Sequence, residues 1–303
     1  MPSAGSQDTD ETAEPNLPYA FDPLSNVWLR AGTTSGTHPE GNLKRVATVI
    51  REANDVACGS EELLAAATDW STRYHFGAER SNLLRPARQF MQGRVLEIGS
   101  ECGALTRFLG ETGSDVTAFE PDFHKAAIAA SRCRGLSSVT VFCDEFARAA
   151  VSEHFNAITL IGALEHASQA TELLERCTSL LTDDGVLVIA VENRLALKYF
   201  AGAPEDHTGG IFDGVTGLDS ARTGRSFGRR ELQEQLLKAG LNHCEFLYPL
   251  PNYRFARLIL HPDTFQSECG LIATDLVQRF SGFYDPRWDY ERLFSERRAW
   301  AWE

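Results

Sequence analysis

The chain has 303 residues, 43% of them hydrophobic, which suits one large domain with extensions or two small domains around a buried core. A formal net charge of −13 argues against a phosphate-backbone polyanion as partner. Seven cysteines without a C-x-x-C pair point to free thiols in a reducing compartment; with no transmembrane segment and no signal-peptide pattern, they lead to the expectation of a cytoplasmic protein that binds no nucleic acid.

Residues 1–16 carry four acidic and no basic side chains and read as a disordered acidic tail. Residues 17–90 read as an N-terminal helical or lid segment. It begins with Tyr19, Phe21 and Trp28, continues through helices over 42–56 and 60–70, and ends in DWSTRYHFGAERSNLLRP. A core over 91–262 follows. Val95, Leu96 and Ile98 form a strand, Gly99 and Gly103 mark a tight turn, and Ala104, Leu105, Phe108 and Leu109 recur at helical spacing. Val116–Phe119 is the second strand, with Glu120 at its carboxyl end. Further strands are expected at 139–142, 155–162 and 185–193, the last after a turn at Thr182–Gly185, with helices near 123–134, 145–153 and 169–181. This alternation predicts an α/β fold with a parallel sheet. Ligands of such sheets sit beyond the carboxyl ends of the strands, where Glu97, Glu120, Asp144, Glu165 and Asn193 fall.

Beyond the fifth strand, residues 194–227 form an insert rich in glycines, aromatics and acids, then a helix over 228–240. Segments 243–250 and 254–261 read as a hairpin, and 263–303 as a C-terminal extension. A structureless stretch as long as the insert is usually functional.

The glycine turn reads E-x-G-x-x-x-G, not the G-x-G-x-x-G of dinucleotide folds. Glu97 and Glu101 would repel a diphosphate, whereas S-adenosylmethionine carries a sulfonium and an ammonium and no phosphate. The pattern resembles the first motif of the class I S-adenosylmethionine-dependent methyltransferases, E/D-x-G-x-G-x-G, with Glu101 in place of the middle glycine. The resemblance implies a Rossmann-like sheet of seven strands, mostly parallel, in which the 243–250 and 254–261 segments supply strands six and seven and the last is antiparallel. It also implies cofactor contacts from Glu97, Gly99, Ser100, Gly103, Glu120, Pro121, Asp144, Glu145, Gly162 and Leu164, with Asp144 near the adenine amino group. Tyr74, His75 and Arg80 become candidates for the methionine carboxylate.

The stretches ENRLALKYFAGAPEDHTGGIFDGVTG and RTGRSFGRRELQEQLLKAGL narrow the resemblance to a branch associated with bacterial surface polysaccharide and lipopolysaccharide assembly. That implies a sugar or glycan hydroxyl as acceptor, and a glycosyltransferase as possible partner or fused module. His207 in the insert is the first candidate base, with Asp206 as its orienting group, and His166 is the rival. Asn193, Tyr199, Glu205, Asp206 and Asp213 are candidates for the acceptor side. Glu205, Asp206 and Asp213 also offer oxygens of the kind magnesium prefers, but their spacing shows no repeat and no metal is assigned. Three other readings compete: a nicotinamide oxidoreductase, a non-catalytic scaffold for a glycosyltransferase, and a small-molecule O-methyltransferase.

Overall fold

The computed structural model describes residues 18–33, 36, 39–200, 203–205, 207–216 and 224–266. The acidic tail, Asp206 and all but the first residues of the C-terminal extension lie outside the described residues.

An N-terminal hairpin, β1 (Tyr19–Asp22) and β2 (Val27–Arg30), precedes helices α1 (Gly41–Glu52), α2 (Glu61–Ala66) and α3 (Trp70–Phe76). The core then runs β3 (Arg94–Ile98), α4 (Ala104–Glu111), β4 (Asp115–Phe119), α5 (Phe123–Arg132), β5 (Val139–Cys143), β6 (Phe155–Ile161), α6 (Ala170–Ser179) and β7 (Leu181–Ala190). Two single-turn helices, α7 (Leu197–Phe200) and α8 (Asp213–Thr216), lie in the insert, followed by α9 (Arg229–Lys238), β8 (Tyr248–Leu250), β9 (Leu258–Leu260) and α10 (Asp263–Gln266).

Seven strands form one sheet in the order β1-β2-β5-β4-β3-β6-β7, parallel except for the β1–β2 pair. The strand order reverses between β3 and β6, and that switch point opens a crevice at their carboxyl ends. One face of the sheet packs Phe155, Ile158, Leu160 and Leu164 against α6 and α9. The other packs Val95, Val116 and Ala118 against Leu109 of α4 and Ala129 of α5. Local signals match these elements: Asp69 and Thr72 close a capping box on α3, and Asp122 caps α5 by accepting from Lys125 N. Among the described residues no helix is long and apolar enough to cross a membrane.

The antiparallel strand of the main sheet comes from the other end of the chain than the sequence suggests. β8 and β9 pair with each other as a separate two-stranded sheet, and β1–β2 takes the edge beside β5. Aromatic stacking explains the choice of edge: Trp28 lies over Phe142 of β5, Phe142 over Phe119, and Tyr19 meets Phe142 edge-on. The expected turn at Thr182–Gly185 is a register shift inside the single strand β7. The helix expected over 145–153 shrinks to one turn, Phe146–Arg148. Arg176 takes the carbonyls of Ala147 and Ala149, and the backbone leaves helical angles at Ala149.

Candidate active site

The turn after β3 sets one half of the site. Gly99 and Gly103 have φ of +83° and +78°, and a Cβ on Gly103 would lie 2.7 Å from the Cα of Ala129. Glycine is therefore needed at Gly103 both for its backbone angle and for the approach of α5. Glu101 also has a positive φ, +49°. Two contacts hold it there: its backbone N–H donates to Glu120 Oε2 at 2.8 Å, and its carboxylate pairs with Lys125 Nζ at 2.9 Å. The departure from the glycine motif thus keeps the left-handed turn and adds a link between two carboxylates and the start of α5.

Tyr74, His75 and Arg80 reach the same point from α3 and the turn after it, and with Glu97, Gly99, Ser100 and Ile161 they line a cavity of about 10 Å³. Glu97 Oε2, Ser100 Oγ and Arg80 Nε are buried without a hydrogen-bond partner. Burial pushes the Glu97 carboxyl up to about 7 against the pull of the Thr106 hydroxyl and Arg80. The Arg80 guanidinium stacks 4.3 Å over the Tyr74 ring. Burial also pushes His75 down to about 4, so its ring is neutral near pH 7. One unpartnered carboxylate oxygen and one unpartnered guanidinium nitrogen beside the same cavity suit a ligand group bearing both charges.

Glu120 ends β4 almost fully buried, accepting from Asp122 N at 3.1 Å as well as from Glu101 N. Burial and the Glu101 charge push its carboxyl up to about 7. Asp144 stands just past β5, as its sequence position suggests, with partners the sequence does not announce. Tyr19 donates to its Oδ2 at 2.7 Å, Arg30 at 2.8 Å, and Glu145 N reaches Oδ1 at 2.9 Å. Asp144 therefore fastens the N-terminal hairpin to the sheet edge. Glu145 itself pairs with Arg148, and Pro121 contributes a carbonyl to Cys143 Sγ.

The second half lies at the end of β6. Gly162 has φ +75°, and a Cβ there would stand 2.8 Å from the Tyr253 hydroxyl. Tyr253 donates to Glu165 Oε2 at 3.3 Å, and Glu192 N donates to Glu165 Oε1. His207 Nε2 lies 3.3 Å from Glu165 Oε2, without a well-formed hydrogen bond between them. Burial lowers the basicity of His207, and the adjoining Glu165 carboxylate, with the Glu205 charge behind it, more than offsets that, so the net shift is upward. The His166 ring meets His207 edge-on at 5.4 Å. Glu205 fixes the His207 loop by accepting from His207 N and Thr208 N at 2.7 and 2.8 Å. Glu192 holds Lys198 at 2.6 Å and Arg254 at 2.7 Å.

The structure therefore brings His207 and His166 together, but with Glu165 beside them. Asp206, expected to orient the base, is outside the described residues. Leu164 is fully buried in the core and Tyr199 is 1% exposed. Asn193 is exposed and its Oδ1 accepts from Leu195 N, while Asp213 opens α8. Sequence reasoning gave Glu165 a place at a strand end but no role. It missed Lys125, Tyr253 and Arg254, whose local sequence carries no ligand motif.

Comparison with known proteins gives the family. A model of the methyltransferase domain matches residues 55–245. The ribosomal RNA small subunit methyltransferase A of Streptococcus pneumoniae (strain P1031) is 38% identical over 63 residues, 21% of this chain, and that stretch spans only 22% of the relative. Among solved structures, a possible histamine N-methyltransferase from Thermotoga maritima is 19% identical over 62% of this chain and 84% of its own, with a TM-score of 0.46. A putative O-methyltransferase from Nostoc punctiforme PCC 73102 is 15% identical over 68% of this chain and 63% of its own, with a TM-score of 0.44. With the glycine turn and its carboxylates in place and the domain model spanning more than half of the sequence, the chain belongs to the methyltransferase-domain family.

Proposed function

We propose that the protein transfers a methyl group from S-adenosylmethionine to a hydroxyl of a sugar or glycan, in the building of a surface polysaccharide. The observation that carries the cofactor half is the convergence of buried, unsatisfied Glu97, Ser100 and Arg80 atoms on one cavity at the sheet's switch point. In this reading Glu97 accepts from the methionine ammonium, Arg80 binds the carboxylate, and Glu120 accepts from the ribose hydroxyls. Ser100, Gly99 and Gly103 supply backbone that approaches the cofactor closely.

Transfer is an in-line displacement: the new C–O bond forms as the S–CH3 bond breaks, and the sulfonium becomes a neutral thioether. Alignment supplies most of the acceleration. The remaining task is loss of the hydroxyl proton, since a neutral hydroxyl is a poor nucleophile. It falls to the cluster at the end of β6, where His207 takes the proton and Glu165 stabilises the resulting imidazolium. The sugar or glycan class rests on the resemblance of residues 192–217 and 222–241 to the polysaccharide-associated branch.

The test pairs calorimetry with labelled-methyl transfer. S-adenosylhomocysteine should bind the full chain, and binding should weaken in Glu97→Gln. Label should move onto nucleotide-sugars or surface glycans and not onto amines. Absence of S-adenosylhomocysteine binding would remove the cofactor reading, and label on amines alone would remove the acceptor class.

A further inference from the structure

We propose that Glu165, His166 and His207 form a site for one first-row divalent transition-metal ion, reached by the acceptor through two neighbouring oxygens. Each side chain offers one ligand atom, and the three atoms lie within 4.8 Å of one another. Ligands at about 2.0–2.2 Å from a common ion stand at most about 4.4 Å apart, so small side-chain rotations suffice.

Three observations favour an ion over simple packing. His207 Nε2 and Glu165 Oε2 are 3.3 Å apart on side chains 6% and 1% exposed, but Nε2 makes no hydrogen bond. A cation between them gives Nε2 a partner, where the bare pair leaves that buried nitrogen without a well-formed hydrogen bond. Gly224, at φ +110°, faces both rings. A Cβ there would stand 2.8 Å from His207 Nδ1 and 3.0 Å from His166 Nδ1, so any other residue fills the space beside them. Finally, the ligands are held from behind, as metal ligands usually are. Tyr253 and the backbone of Glu192 donate to Glu165, and Glu205 anchors the His207 backbone. Arg254 Nη2 is 3.9 Å from Glu165, but its Nη1 is drawn to Glu192 at 2.7 Å.

Two imidazoles and a carboxylate suit manganese, cobalt, nickel or zinc better than magnesium or calcium, which want oxygens throughout. The acids singled out from sequence, Glu205, Asp206 and Asp213, are not this set, and Glu205 Oε2 is engaged by two backbone N–H groups. Three protein ligands leave coordination positions free on the side of exposed His166. A vicinal diol fills two of them and is held in a fixed orientation, and an ion-bound hydroxyl loses its proton to solvent more readily than a free one. With the ion bound, His207 is a ligand and not the base. The diol rests on the glycan reading above; the metal site does not.

The experiment uses the full chain, stripped with a chelator and titrated with Co²⁺. A visible d–d band saturating at one ion per chain is expected, with competition by Zn²⁺ in calorimetry. His166→Ala and His207→Ala should each weaken binding by more than about tenfold, the lower end of what even an outer-shell partner costs. His261→Ala, which removes an exposed imidazole near Glu245 and Asp263, should leave it unchanged. No band, or a band that survives both variants, overturns the site. S-adenosylhomocysteine titrated into the same samples separates the two proposals. Cofactor binding without cobalt binding sinks the metal and leaves His207 as base, and cobalt without cofactor sinks the function and leaves the metal.

Discussion

The two halves of the site are built in opposite ways. The cofactor half is nearly continuous in the chain: Glu97, the turn through Gly103, Glu120 and Lys125 span about thirty residues and are joined by hydrogen bonds between neighbouring strand ends. The half proposed for the acceptor gathers Glu165, His207, Gly224 and Tyr253 from four separate stretches of chain. A half made of one βαβ unit has its geometry fixed by local backbone. A half made of four segments depends on tertiary packing, so its chemistry can change without disturbing the fold.

The largest effect should come from the backbone of the local half. Gly103→Val adds a side chain at φ +78° and against the Ala129 backbone. Strain and overpacking together cost about 2–6 kcal/mol, read as a fall in urea midpoint or outright loss of the fold. Gly162→Ala carries similar backbone strain at φ +75° but adds a single methyl against the Tyr253 hydroxyl and not against backbone, so it should cost less stability and disturb turnover more. Equal destabilisation by both would break the comparison.

Next comes chemistry without structure. Whether it takes the proton or holds the proposed ion, His207→Ala should lower turnover by about 10²–10⁴-fold, the usual worth of a positioned base, while S-adenosylhomocysteine affinity stays within about twofold. Glu120→Ala should do the reverse, weakening that affinity by more than about tenfold through loss of charge-assisted hydrogen bonds. If either variant moves both readouts alike, the halves are not separable.

A smaller, graded effect concerns pH. Burial holds Glu97 and Glu120 up to about 7 in the folded protein, facing Arg80 on one side and Glu101 with Lys125 on the other. The folded state keeps protons that the unfolded chain releases above about 4.5, so these two groups make the ligand-free protein lose stability as pH rises from about 4.5 to 7. In the proposed cofactor contacts both carboxylates are ionised, so cofactor affinity should fall as pH drops below 7. Thermal shift with S-adenosylhomocysteine across that window should therefore grow with pH; a flat shift would remove the ionised pair from binding.

The same contrast explains what sequence could reveal. Val95–Ile98, Gly99, Gly103 and Glu120 announce themselves because strand period, turn chemistry and strand-end acid lie in one window. The N-terminal hairpin does not, because its edge position depends on Phe142, more than a hundred residues from Trp28, and on Asp144 accepting from Tyr19 and Arg30. Asp144 stands at the expected strand end, yet tertiary contacts redirect it to the hairpin. For His207 the residue type suggested a base, but nothing within its own segment identifies Glu165 as its neighbour.

Glu101 gives the finest test, because its two effects nearly cancel in stability and do not cancel in chemistry. Glu101→Gly relieves a non-glycine residue at φ +49°, but frees the unfolded chain and removes a half-exposed pair with Lys125. Strain relief of about 1 kcal/mol or more is offset by about 0.4–1 kcal/mol of unfolded-state entropy and up to about 1 kcal/mol of ion pair. Net stability should change by less than about 1 kcal/mol. The Glu101 charge, however, is the largest influence after burial that raises the Glu120 carboxyl. Its removal should move the pH midpoint of S-adenosylhomocysteine affinity downward even though the turn keeps its shape. A midpoint that stays put while stability drops sharply would show that Glu101 serves the backbone of the turn and not the charge state of the pocket.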